Sequence, residues 1–363
     1  MSAAPVVVTD RLTRLRTWLA TADVDAILLS SRETLAYVSG FRGSAGLGLV
    51  AHDRASLVVD FRYVEQAGAQ APGWEIVQAP QTLLEAAAGL VRAAGPRRVG
   101  VEGDDLTVAA FRRLQALVEP VELVPLEGLD RLRWQKDADE VAAIRRAAAI
   151  ADAAFLEVLP LLRPGTTERQ VAAALEYAMR RGGADGVAFD TIVASGPRAA
   201  LPHARATDRP IGRGEFVVVD FGAVVEGYHS DCTRTVVTAP ASARHREVYA
   251  VVLDALEAAL AALRPGMTGR EADAVARQRI VRAGYGEAFG HGLGHGVGLA
   301  VHEGPRLSPR EEAVLPPGTV VTVEPGIYLA GWGGCRIEDL VVVADGAPEV
   351  LTQTPKALVE VDP

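Results

Sequence analysis

Gly214-Glu-Phe-Val-Val-Val-Asp220 and Gly318-Thr-Val-Val-Thr-Val-Glu324 stand 104 residues apart and read alike: a glycine turn, a β-forming apolar run, and a carboxylate at its end. The region around them repeats as well. Leu162-Arg-Pro-Gly-Thr-Thr167 returns 101 residues later as Leu263-Arg-Pro-Gly-Met-Thr268, each copy closing one helical stretch and opening another. Leu201-Pro-His203 has a fainter echo in Ala300-Val-His302. Two copies are too few to stack as a solenoid. They predict two related α/β halves about a pseudo-two-fold axis, with a functional site where the halves meet.

Four carboxylates lie within or at the ends of the apolar strands of this region: Asp220, Asp231, Glu324 and Glu338. One strand-end acid is usually a turn residue, but these four form a pattern. Asp220 and Glu324 are repeat equivalents, and Asp231 and Glu338 each head the next apolar strand. Ionised carboxylates in such places are costly unless they are paired or bind cations. Gly290-His-Gly-Leu-Gly-His-Gly-Val-Gly298 carries glycine at every second position, which excludes a helix; if extended, it lines up His291, Leu293, His295 and Val297 on one face. At ~3.3 Å per residue the two histidines are too far apart to share an ion, so one can be a ligand and the other a substrate contact. Carboxylates with one imidazole suit Mn²⁺, with Co²⁺ or Zn²⁺ as alternatives. Two divalent ions balance four carboxylates and hold a hydroxide for hydrolysis.

The rest of the chain narrows the class. Its 363 residues and 49% apolar content suit about two domains. Lys+Arg 37 against Asp+Glu 46 gives a net charge of −9 without a basic block, so nucleic acid is not an expected partner. No apolar run is long enough for a membrane span and no signal peptide is evident, so the expected location is the cytoplasm. Cys232 and Cys335 make no CxxC pair and read as buried packing residues. The only lysines are Lys136 and Lys356, which argues against Schiff-base chemistry. No GxSxG, HExxH or GxxxxGK motif occurs. Residues 1–130 read as a smaller α/β domain, with strands at 26–30, 47–51, 56–60 and 98–102 and helices at 82–94 and 107–118. Residues 131–363 form the second domain, opened by Asp137-Ala-Asp-Glu140 as a capping box on a helix running to about Leu162.

Asp220, Asp231, the His-Gly-Leu-Gly-His-Gly stretch with His295, Val323-Glu-Pro-Gly326 and Arg336-Ile-Glu338 together resemble the dimetal metallopeptidases of the M24 family, in the aminopeptidase P and prolidase branch. Tyr37-Val-Ser-Gly-Phe41 resembles that branch's creatinase-like N-terminal domain, so the likeness spans the chain. The resemblance implies a C-terminal pita-bread (creatinase/aminopeptidase) fold behind that smaller domain. It implies two metal ions bridged by Asp231 and Glu338, with Asp220 on one and His295 and Glu324 on the other. It further implies that His203 contacts substrate, that His291 and His302 stabilise the scissile carbonyl and tetrahedral intermediate, that Glu324 moves the proton, and that Arg336 supports a ligand carboxylate.

No ligand position departs from the family pattern, which argues against a non-catalytic scaffold or a metabolite hydrolase of the same fold. The substrates so implied are short proline-containing peptides, and the assembly a homodimer. Between members of the branch, the sequence favours an Xaa-Pro aminopeptidase, with Xaa-Pro dipeptidase as the alternative. A dipeptidase needs a cation for the free carboxylate of its substrate, and Arg306 and Arg198 are the candidates for that role.

Overall fold

The computed structural model describes residues 4–362, in two compact units that divide between Arg133 and Trp134. The first contains α1 (Ala4–Thr21), β1 (Ala26–Leu29), α2 (Arg32–Ser39), β2 (Leu47–Ala51), β3 (Ala55–Val59), α3 (Val64–Gln70), β4 (Glu75–Gln78), α4 (Leu83–Ala94), β5 (Arg98–Glu102), α5 (Val108–Val118) and β6 (Glu122–Leu126). Its six strands form one mixed sheet in the order β4-β3-β2-β1-β5-β6. Leu28, Leu49, Val58 and Val101 pack against Ala87, Val91, Leu114 and Val118 of α4 and α5. Thr82 and Thr107 cap those two helices through their side chains, so the sequence reading of both holds to within a residue. The short helices α2 and α3 and the part-exposed strands β4 and β6 are additions the sequence did not announce.

The second unit begins with α6 (Ala138–Val158), whose Asp137/Glu140 capping box forms as expected. It ends four residues early, in a 3₁₀ turn at Leu159–Leu161, because Pro160 cannot continue the α-helical bonding. Next come α7 (Glu168–Arg181), β7 (Gly186–Val187), β8 (Ile192–Ser195), β9 (Phe216–Phe221), β10 (Ala223–Val225), β11 (Tyr228–His229) and β12 (Cys232–Thr238). The other half holds α8 (Ala243–Ala262), α9 (Gly269–Arg282), β13 (Gly294–Gly296), β14 (Glu303–Leu307), β15 (Val320–Val323), β16 (Gly326–Leu329), β17 (Gly333–Arg336), β18 (Asp339–Val342), β19 (Glu349–Val350) and β20 (Glu360–Val361).

Two main sheets result, β20-β12-β9-β8 and β14-β13-β15-β18-β19. The repeat has a conformational cause. Gly165 and Gly266, and likewise Gly214 and Gly318, all sit at positive φ, where a side chain is strained. Thr167 with Gln170 and Thr268 with Glu271 then form matching capping boxes on α7 and α9. Along β9 the residues alternate: Val217, Val219 and Phe221 pack toward α6 and α7, whereas Phe216 and Val218 belong to the core built on α8 and α9. The chain thus has a mixed α/β fold, a unit with one six-stranded sheet followed by a unit whose two main sheets belong to its two related halves. Among the described residues no helix is long and apolar enough to cross a membrane.

Candidate active site

Strand pairing brings the carboxylates together. On the β9/β12 ladder Asp220 lies opposite Thr233, and Asp231 stands just before β12 begins. On the β15/β18 ladder Val323 lies opposite Asp339, so Glu324 and Glu338 flank adjacent strand ends. The two sheets are joined here: the Glu338 amide donates to the Thr233 carbonyl at 3.0 Å, and the Thr233 hydroxyl donates to Glu338 Oε2 at 2.6 Å. Arg234, fully buried, donates to the Glu338 carbonyl and pairs with Asp339 at 2.8 Å. Ligand atoms of Asp220, Asp231 and Glu338 lie within 4.8 Å of one another. His295 Nε2 is 3.7 Å from Asp231 Oδ2 and 3.4 Å from Glu324 Oε1, so Asp231 belongs to both groups.

Burial drives the electrostatics. It pushes the carboxyls of Asp231 and Glu338 well above their ordinary values, reinforced by the neighbouring carboxylates, raises Asp220, and lifts Glu324 to about 7. Burial likewise pushes His295 down to about 3 and His291 to about 4, so both imidazoles are neutral. Arg336 is held charged against the cost of its burial by Tyr328, Asp220, Glu324 and Glu338. One guanidinium cannot balance four carboxylates. Asp220 Oδ1 is buried and has no hydrogen-bond partner, although its Oδ2 accepts from Arg336 at 2.6 Å. An orphaned carboxylate oxygen, three further acids and a neutral imidazole are a donor set that fits divalent cations.

These groups line a cavity of about 530 Å³, with His203, His291, His302, Arg306 and Arg336 also on its walls. The His295 and His302 rings meet edge to face at 4.4 Å. Arg306 is the register partner of His295 across β13/β14 and makes no ion pair among the described residues. Arg198 departs from expectation. It does not line the cavity, because its guanidinium is spent on Glu168 at 3.1 Å and on the Arg205 carbonyl. The glycine stretch also differs from a continuous strand: only Gly294–Gly296 is β, with a bulge after His295. Its glycines answer to crowding. A Cβ on Gly294 would meet the Thr322 carbonyl oxygen at 2.0 Å, and one on Gly296 that of Gly304 at 2.2 Å.

Three participants escaped the sequence reading. Tyr328 accepts from Arg336 and faces His291 Nε2, both at 2.9 Å, linking Asp220, Arg336, Tyr328 and His291 in one chain. Thr322 donates to Glu324 and accepts from the His295 amide. Thr233 was legible in principle, since it stands two residues after Asp231 and therefore on its face of the strand. Cys232 and Cys335 are both buried, and burial raises both thiols, the latter to about 12.

The model of metallopeptidase family M24 matches residues 142–345, and that of the creatinase/prolidase N-terminal domain matches residues 11–135. An Xaa-Pro dipeptidase of Pyrococcus horikoshii is 36% identical over 93% of this chain and 95% of its own length. Among solved structures, an Xaa-Pro dipeptidase from Bacillus anthracis superposes with a TM-score of 0.94 at 43% identity, covering 98% of this chain and 99% of that one. An X-Pro aminopeptidase from Thermotoga maritima does so with a TM-score of 0.90 at 39% identity, covering 96% and 99%. The family match, the buried acid cluster and the two-unit fold agree: the chain belongs to metallopeptidase family M24.

Proposed function

We propose that the chain is an Xaa-Pro dipeptidase that hydrolyses the single peptide bond of Xaa-Pro dipeptides. The observation that carries this reading over the aminopeptidase P favoured by the sequence is Arg306, a guanidinium on the cavity wall, across the strand pair from His295 and without an ionic partner among the described residues. Such a group suits a free carboxylate, which a dipeptide presents at its second residue and a longer peptide does not. Likeness to the Xaa-Pro dipeptidases named above supports the same choice. The aminopeptidase reading stays as the second, because the Thermotoga maritima structure is nearly as similar.

Asp231 and Glu338 would be shared by two ions, with Asp220 completing one set and His295 and Glu324 the other. When bound, divalent cations, Mn²⁺ foremost and Co²⁺ or Zn²⁺ as alternatives, supply an activated water and an electrophile at neutral pH. The protein's own groups do the rest. His295 Nδ1 lies 3.1 Å from the Gly296 carbonyl, which fixes the proton there and leaves Nε2 as the donor atom. Glu324 takes the proton of the attacking water and returns it to the departing proline nitrogen. His203, His291 and His302 line the cavity, where His291, on the Tyr328–Arg336 chain, and His302 would donate to the carbonyl oxygen as it gains charge and His203 would contact the substrate. Arg336 orients Asp220. A homodimer in the cytoplasm is the proposed working form; the free, buried thiols suit a reducing compartment.

The test compares Ala-Pro with Ala-Pro-amide, for wild type and Arg306→Leu. Wild type should hydrolyse Ala-Pro far faster, and the substitution should cut kcat/KM for Ala-Pro roughly 10- to 100-fold while leaving the amide unchanged. Equal rates on both substrates by wild type would overturn the dipeptidase reading.

A further inference from the structure

The segments that carry the cavity histidines have little order of their own. His203 lies on an exposed loop, and His291 on a stretch with glycine at every second position. Displacing a reacting group by 1 Å can cost about 100-fold in rate, so something outside the cavity must hold these segments. Two buried carboxylates are placed to do so, and neither lines the cavity.

In the first half, Glu168 opens α7. Its Oε1 accepts from the Ser195 amide and hydroxyl, each at 2.9 Å, and its Oε2 accepts from Arg198 Nε at 3.1 Å, the Thr207 amide at 3.1 Å and the Thr207 hydroxyl at 2.8 Å. One carboxylate thereby clamps both ends of the loop that bears His203. In the second half, Asp273 lies on α9. Its Oδ1 accepts from the Leu293 amide at 3.0 Å, midway between His291 and His295, and both its oxygens grip Arg277 at 2.7 and 2.8 Å. Arg277 in turn donates to the Phe289 carbonyl at 2.9 Å and the His291 carbonyl at 2.6 Å, and its guanidinium lies over the Phe289 ring.

The two anchors occupy equivalent helices but not equivalent positions, and the structure gives the reason. The repeat counterpart of Glu168 is Gly269, where a Cβ would stand 2.0 Å from the Arg306 carbonyl oxygen. The strand bearing Arg306 passes too close for a side chain at that point, so the acid sits one turn further along α9.

We propose that Glu168 and Asp273 are matched positioning residues, one in each half of the pseudo-two-fold, which fix His203 and His291 respectively toward the substrate. The inference rests on the reading of those histidines as substrate-facing groups. It also gives Arg198 its role, as part of the Glu168 anchor.

Double-mutant cycles on the Mn²⁺-loaded enzyme test it. Glu168→Gln and Asp273→Asn should each lower kcat about 10- to 100-fold, with KM and bound metal little changed. Glu168→Gln should add no further loss to His203→Ala, and Asp273→Asn none to His291→Ala, while the crossed pairs multiply. Multiplication in the matched pairs would overturn the inference, since a general loss of stability gives that result. His203→Ala and His291→Ala enzymes with full activity would overturn both the functional reading and the inference. Should either acid variant fail to fold, Thr207→Val, which removes one arm on the loop, and Arg277→Met, which removes one on α9, enter the same cycles, with Arg277→Lys expected to restore part of the rate. A readout independent of turnover is the ring-nitrogen NMR signal of His291 in metal-free protein. Asp273→Asn should move it and Glu168→Gln should not; the reverse would contradict the assignment.

Discussion

A buried carboxylate has to be answered by something, and most of the site follows from asking what answers each one. Asp339 is answered by Arg234 and Lys356, Glu303 by Lys136, and Glu168 by Arg198 with its flanking amides. Asp231 and Glu338 are left facing Asp220 and Glu324, with a single guanidinium among them. Asp231→Asn or Glu338→Gln should therefore reduce turnover by at least about 1,000-fold and lower bound metal, measured by elemental analysis, while the far-ultraviolet circular dichroism stays unchanged. Retained activity with full metal content would contradict their placement at the heart of the site. The four acids were legible because a carboxylate ending a Val-rich run conflicts with its surroundings, and such conflicts mark sites. Arg198 misled because its partner, Glu168, lies 30 residues upstream, and nothing local distinguishes a guanidinium facing a cavity from one facing a buried acid.

The glycine-rich segment shows what an element can hide. Alternating glycine excluded a helix, and that much holds, but of the two histidines only His295 lies in a strand. The reason for the glycines was not legible, because it lies in other strands, at Gly304 and Thr322: carbonyl oxygens of β14 and β15 pass where Cβ atoms would be. Gly294→Ala should push β13 from β15, destabilise the unit by about 2 kcal/mol or more, and weaken metal retention by displacing His295. Calorimetry and metal titration check this; an unchanged melting temperature and affinity would show that the neighbouring strand gives way freely. The starts of helices with a threonine or aspartate cap were readable to within a residue, as in α4, α5 and α6. The short or part-exposed elements α2, α3, β4 and β6 were not, since their patterns span too few residues to separate from loops.

At the scale of the whole molecule, the pseudo-two-fold was readable because its turns need glycine at positive φ in both halves. Concentrating acids at the meeting of the halves has a consequence for stability. In chelated protein, burial raises the carboxyls above their unfolded values, so the folded state binds protons that the unfolded state does not. Stability then falls as pH rises, for Glu324 across a window from about 4.5 to about 7. For Glu324 that shift corresponds to on the order of 3 kcal/mol at most. Thermal melts with chelator should fall between pH 5 and 7.5, and added Mn²⁺ should remove the slope; a flat profile without metal would contradict the uncompensated cluster.

The most direct test of the central claim is hydrolysis of Ala-Pro and Ala-Pro-Ala by metal-stripped protein, with and without added Mn²⁺, Co²⁺ or Zn²⁺. Metal-dependent cleavage of Ala-Pro, with Ala-Pro-Ala left intact, is the predicted result. Cleavage of the tripeptide at a comparable rate, or no metal-dependent cleavage of Ala-Pro, would contradict an Xaa-Pro dipeptidase.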